Sequence, residues 1–140
     1  MKRLVYPALL FAIGCDLYDD TENAEDTGSG EDFVGDTLER CSASAPSDAV
    51  WISNASIAGD TLTIDVGFGG GCEAHQLQLC WDGLVAESYP MQTWVWVSHN
   101  ANGDSCEAAL SETMTVDIST IGVTPTIVHL EGWGDGLMYE

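Results

Sequence analysis

The chain has 140 residues, 23 of them acidic and only 3 basic, for a formal net charge of -20. That length holds one domain of ordinary size, or less if part of it is leader and tether. The charge repels nucleic acid and anionic lipid surfaces, so neither is an electrostatic partner, while cations and basic protein patches are what such a field attracts. The plainer role of the acidity is to keep an exposed domain soluble.

In chain order, Lys2 and Arg3 form a positive start, and Leu4 to Ile13 form an apolar run interrupted only by Tyr6 and Pro7. This is the pattern of an export signal. As a helix the run would reach about 15 Å, half of the roughly 30 Å hydrocarbon core, so it does not read as a membrane span. It ends in Ala12-Ile13-Gly14-Cys15, which resembles the lipobox of bacterial lipoproteins. That resemblance implies cleavage before Cys15 and a diacylglycerol on its sulfur, hence residues 1–14 as signal peptide and a protein anchored in the cell envelope, outside the cytoplasm. Ala12 stands where the family prefers Leu, and Ala12 with Gly14 also satisfies the small-residue rule for ordinary cleavage to a secreted product.

Cysteine parity favours the lipid. Of the five cysteines, Cys15, Cys41, Cys72, Cys80 and Cys106, lipidation would consume the first and leave an even set for two disulfides in an oxidising compartment. Four cysteines allow three pairings. We favour Cys72 with Cys106 and Cys41 with Cys80, because Cys72 and Cys106 both fall in loops at strand boundaries. All 23 acidic residues follow Cys15 and Arg40 is the only basic residue that does, which sets the cleaved chain near -22.

Residues 15–36 read as the lipidated cysteine and a disordered acidic tether. Nine Asp or Glu and few large apolar groups after Cys15 cannot offset the entropy of ordering. As a flexible coil the tether would reach about 25 Å.

Residues 37–140 carry all five tryptophans and the alternation of strands. Val50 to Ile57 and Thr61 to Phe68 read as a hairpin about Gly59-Asp60, with Leu62, Ile64, Val66 and Phe68 on one face. Gly69-Gly70-Gly71 breaks the pattern before Leu77, Leu79 and Trp81 alternate again. Met91 to Ser98 reads as a long central strand, Glu112 to Ile118, Thr126 to Leu130 and Leu137 to Tyr139 as further strands, and Cys106 to Leu110 as a single helical turn. About seven strands at this spacing predict an all-β domain: a small antiparallel β-sandwich, immunoglobulin-like in general shape and braced by disulfides.

Three constellations could carry chemistry. The loop His99-Asn100-Ala101-Asn102-Gly103-Asp104, with Glu107 beyond it, offers the oxygen donors of a calcium site at Asn100, Asn102, Asp104 and Glu107, although the same residues make ordinary turns. His75 and His99 would converge if Cys72 and Cys106 are bridged, as a zinc or copper pair or an acid–base pair. Trp94 and Trp96, if exposed, would form an aromatic platform for a carbohydrate or protein; if buried, they belong to the core.

No serine elbow is present and the triple glycine lacks the Lys and Ser or Thr of a phosphate loop, so no catalytic residue is assigned. The string GGGCEAHQLQLCWDG, with SHNANGDSCEA and TVDIS downstream, is similar to small exported bacterial proteins of unknown function, and that resemblance implies no activity. The sequence therefore predicts a lipid-anchored, non-enzymatic binding or structural domain without a cofactor, touching the membrane through its anchor. A calcium or zinc protein is the alternative, and a hydrolase ranks third.

Overall fold

The computed structural model describes residues 31–140, so the signal peptide, Cys15 and most of the tether lie outside the described residues. Nine strands follow in order: β1 (Phe33–Val34), β2 (Glu39–Arg40), β3 (Trp51–Ala58), β4 (Thr61–Gly70), β5 (Gln76–Trp81), β6 (Met91–Asn100), β7 (Ala108–Asp117), β8 (Thr126–Leu130) and β9 (Leu137–Tyr139), with one 3₁₀ turn at Ser119–Ile121. They form two sheets. One runs β1-β5-β6-β8-β9, with β2 also on β5; the other runs β3-β4-β7.

Period-two alternation decides which side of each strand is dry. Leu62, Ile64, Val66 and Phe68 of β4 and Met114 and Val116 of β7 are buried against Leu77 and Leu79 of β5, Val95 of β6 and Val128 and Leu130 of β8. This is the two-layer core expected of a sandwich, and its removal from water is the main favourable contribution to folding. Tyr139 closes one end, donating its hydroxyl to Asp60 Oδ1 at 2.7 Å across the β3–β4 turn.

Seven of the nine strands are those expected from the alternation; the differences have local causes. The sandwich is antiparallel only in part, since β8 runs parallel to β6 and both β1 and β2 run parallel to β5. Strand β4 continues through Gly69 and Gly70, because these pair with Ala109 and Ala108 of β7. The same pairing places Leu110 opposite Phe68, so residues 106–110 extend a strand instead of making a helical turn. Phe33 and Val34, placed by composition within the tether, are strand β1. Residues 36–38 also bond Asp117 of β7. This short segment thereby covers an edge of each sheet, a place where unpaired backbone would invite another chain.

Cys41 is bonded to Cys80 and Cys72 to Cys106, spanning 39 and 34 residues, the pairing favoured from the sequence. In the chain-entropy account a loop of 39 residues contributes about 4 kcal/mol. Replacing Cys41 and Cys80 together by Ala should therefore lower the unfolding free energy in urea by about that amount. A loss under about 1 kcal/mol would mean that this bridge is not a significant brace.

Candidate functional site

The sequence singled out His75, His99 and Asp104, and the fold brings these three together. Strand β5 begins just after His75 and β6 ends just after His99; Leu77 of β5 lies opposite His99. His75 Nδ1 lies 2.8 Å from His99 Nε2, and His75 Nε2 lies 2.9 Å from Asp104 Oδ2. At the far end His99 Nδ1 meets the Ala49 carbonyl at 3.2 Å. The two imidazoles stack at 18° and pack beside Phe68. Gly70 makes the cluster sterically feasible: a methyl group there would collide with His75 Nε2 and Asp104 Oδ2. That contact gives the triple glycine a packing role.

Asp104 is the hub. Its Oδ2 accepts the backbone N–H groups of Gly71, Cys72 and Glu73 at 2.9 to 3.0 Å, and its Oδ1 accepts that of Cys106 at 2.9 Å. Successive N–H groups in a turn make a concavity that binds an anion; here the chain supplies its own. The hydrogen bond from His75, followed by those from Cys72, Glu73 and Cys106, holds the Asp104 carboxyl well below the usual carboxylate range.

Proton bookkeeping follows from the partners. The Ala49 carbonyl and the ionised Asp104 carboxylate can only accept, so the nitrogens facing them each carry a hydrogen. The contact between the rings needs a third. All three hydrogen bonds are therefore made at once only when the two rings hold three protons, one net positive charge beside the Asp104 negative charge.

This closure decides what the cluster can do. His75 and His99 are 0% and 1% exposed, and each of their four nitrogens already faces a partner, so neither substrate nor ion reaches them without breaking the scaffold. The calcium alternative meets the same obstacle. Asp104 turns both oxygens to backbone N–H groups, Asn100 Oδ1 accepts from Asn102 N at 2.9 Å, and Asn102 Nδ2 donates to the Ala74 carbonyl. Glu107 is exposed on the outside of the loop. Among the described residues, the three Cys, His, Asp or Glu donors that converge are Cys72, Asp104 and Cys106, and the two sulfurs are joined to each other. The donor set does not fit a metal ion; it fits a brace between two loops.

The aromatic candidates lie elsewhere, on the outward face of β6. Trp96 is half-buried and lines a cavity together with residues between 42 and 50. Trp94 is 52% exposed. It stacks at 18° on His129, its register partner on β8. That imidazole is held in turn: His129 Nε2 donates to Gln92 Oε1 at 2.9 Å, Gln92 Nε2 to Ser88 Oγ at 3.2 Å, and the Ser88 hydroxyl to the Pro90 carbonyl at 2.6 Å. A chain of hydrogen bonds thus fixes the support of an exposed indole. The sequence marked Trp94 but gave no sign of this support, because His129 meets Trp94 and Gln92 only through the parallel β6–β8 register.

No protein-family model matches the chain, and no curated protein matches it by sequence. Solved structures that share its fold include two from the Bacteroides and Parabacteroides genera. A NigD-like immunity protein from Bacteroides caccae is 12% identical with a TM-score of 0.54, covering 70% of this chain and 52% of its own. A toxin-related protein from Parabacteroides distasonis is 20% identical with a TM-score of 0.50, covering 74% of this chain and 58% of its own. The chain thus spans little more than half the length of either, and identity this low reports a common fold alone.

The depressed Asp104 carboxyl has a pH consequence. The folded state keeps it ionised where the unfolded chain takes up a proton, so its stabilisation is fully present above the ordinary value of 3.8 and is lost as pH falls below it. Urea midpoints measured from about pH 7 down to about pH 2 should fall steeply for the native chain. Asp104→Asn should be less stable at neutral pH and show a flatter acid limb. An unchanged neutral midpoint in that variant would remove Asp104 from the scaffold.

Proposed function

We propose that this is an exported envelope protein, lipid-anchored at Cys15, whose β domain is a non-enzymatic binding module acting through the outward face of its six-stranded sheet. The observation that carries the binding role is Trp94, an indole left half in water yet held by a dedicated support. Exposed tryptophans that are rigid before binding lose little entropy on it, and for that reason they serve as recognition anchors. Among the described residues, the cluster of His75, His99 and Asp104 has catalytic residue types, and its imidazoles are buried with every ring nitrogen facing a partner, which argues against hydrolysis there. The envelope address is supported by the four described cysteines pairing off, as sulfurs do in oxidising compartments. Cys15 is then the odd one among five.

Two measurements test this. Mass spectrometry of the protein recovered from its native membranes should find Cys15 as the amino terminus, carrying acyl chains, and Cys15→Ser should leave the membrane fraction; a native chain with an uncut leader ends the anchor proposal. Trp94→Ala should change stability by about 1 kcal/mol or less, as the loss of one surface stacking contact would. By contrast Leu79→Ala, at a fully buried site, should cost about 2 to 5 kcal/mol. A comparable cost at Trp94 would return that residue to the scaffold.

A further inference from the structure

We propose that the ligand of this face is a neutral glycan, with one sugar ring stacked on Trp94; the inference rests on the reading of that face as the recognition surface. Charge supplies the first argument. The chain carries 23 acidic residues, yet β5, β6 and β8 contain no Asp or Glu. A basic ligand would find its counter-charges elsewhere on the molecule, and an anionic one would be repelled by the whole. What suits this face is an uncharged ligand.

The side chains that are present say what kind. Along the outward side of β5 and β6 stand the amides of Gln76, Gln78, Gln92 and Asn100 together with aromatic rings. Gln76 faces Asn100 and Gln78 faces Ser98 across β5 and β6. They line a shallow hollow of about 380 Å³ together with Phe33 and Pro46. Phe33 is 58% exposed there, at the opposite end of β6 from Trp94, which lies about 20 Å away along a strand rising roughly 3.3 Å per residue. A pyranose has one face of C–H groups that lies flat on an indole or phenyl ring and a rim of hydroxyls that both donate and accept, as amides do. Gln78 stands between Phe33 and the Trp94–Trp96 pair, so the rings form no single contiguous patch of the kind that marks many protein-binding surfaces. A second copy of the chain would have to approach against the repulsion between two molecules of strongly negative net charge.

The test is calorimetric titration of the detergent-solubilised full chain with neutral hexasaccharides of glucose, mannose, galactose, rhamnose and N-acetylglucosamine, with a hexauronic acid as the charged comparison. At least one neutral hexasaccharide should bind and the hexauronic acid should not. Trp94→Ala should weaken that binding at least about tenfold, and Phe33→Ala should weaken the hexasaccharide more than the matching disaccharide. Failure of every neutral sugar overturns the glycan assignment, as does tighter binding of the acid. A sugar that binds equally well to Trp94→Ala overturns the choice of face itself. If a protein ligand is found and Trp94→Ala abolishes its binding, the face stands and the glycan falls.

Discussion

Where β4 turns into β5, the successive backbone N–H groups of Gly71, Cys72 and Glu73 are gathered on one acceptor, the Asp104 carboxylate. That carboxylate sits in a loop more than thirty positions away in sequence, on the far side of β6. It therefore fastens one end of the larger sheet to the start of β7, where the Cys72–Cys106 bridge repeats the link covalently. His75 and His99 extend the fastening from Asp104 to the Ala49 carbonyl at the entrance to β3. Four segments of the chain are thereby tied at one corner of the sandwich. Low local dielectric strengthens such a network when every member is satisfied and penalises it heavily when one is not.

The consequence for function is a division of labour between the two ends and faces of the larger sheet. Residue types that suggest metal or acid–base chemistry are spent on the corner, where each ring nitrogen already faces a partner. In the proposed function recognition belongs to the outward face, where Trp94 is exposed by geometry: it alternates with Val95 and so must point away from the core. A free indole on a mobile strand would be a liability for a soluble domain. Stacked on His129 in the middle of a six-stranded sheet, it is a rigid surface at little entropic cost.

Alternation made the fold legible. Leu62, Ile64, Val66 and Phe68 announce their buried face without any knowledge of partners, and the long strand at Met91 reads as central because both its faces carry large apolar groups. The parallel pairings were not legible, since β8 meets β6 through a connection whose course no local pattern encodes. Strand β1 was hidden for a related reason: Phe33 and Val34 are too short a run to stand out against the acidic residues around them, and only the edge of β5 orders them. At the corner, the expected disulfide brought His75 and His99 together, while Asp104 was read separately among the oxygen donors of the 100–107 loop, and both readings suggested a cation. Their actual partners are backbone groups, which carry no letter in a sequence.

The claim that the histidine pair is scaffold and not a reactive centre is most directly tested by long-range proton–nitrogen NMR of the imidazole rings at neutral pH, before and after addition of zinc. Ring-nitrogen shifts of His75 and His99 unmoved by the metal are what the hydrogen-bond geometry requires. A bare ring nitrogen on either histidine that shifts on zinc addition would contradict it, and would return these residues to the binding of an ion.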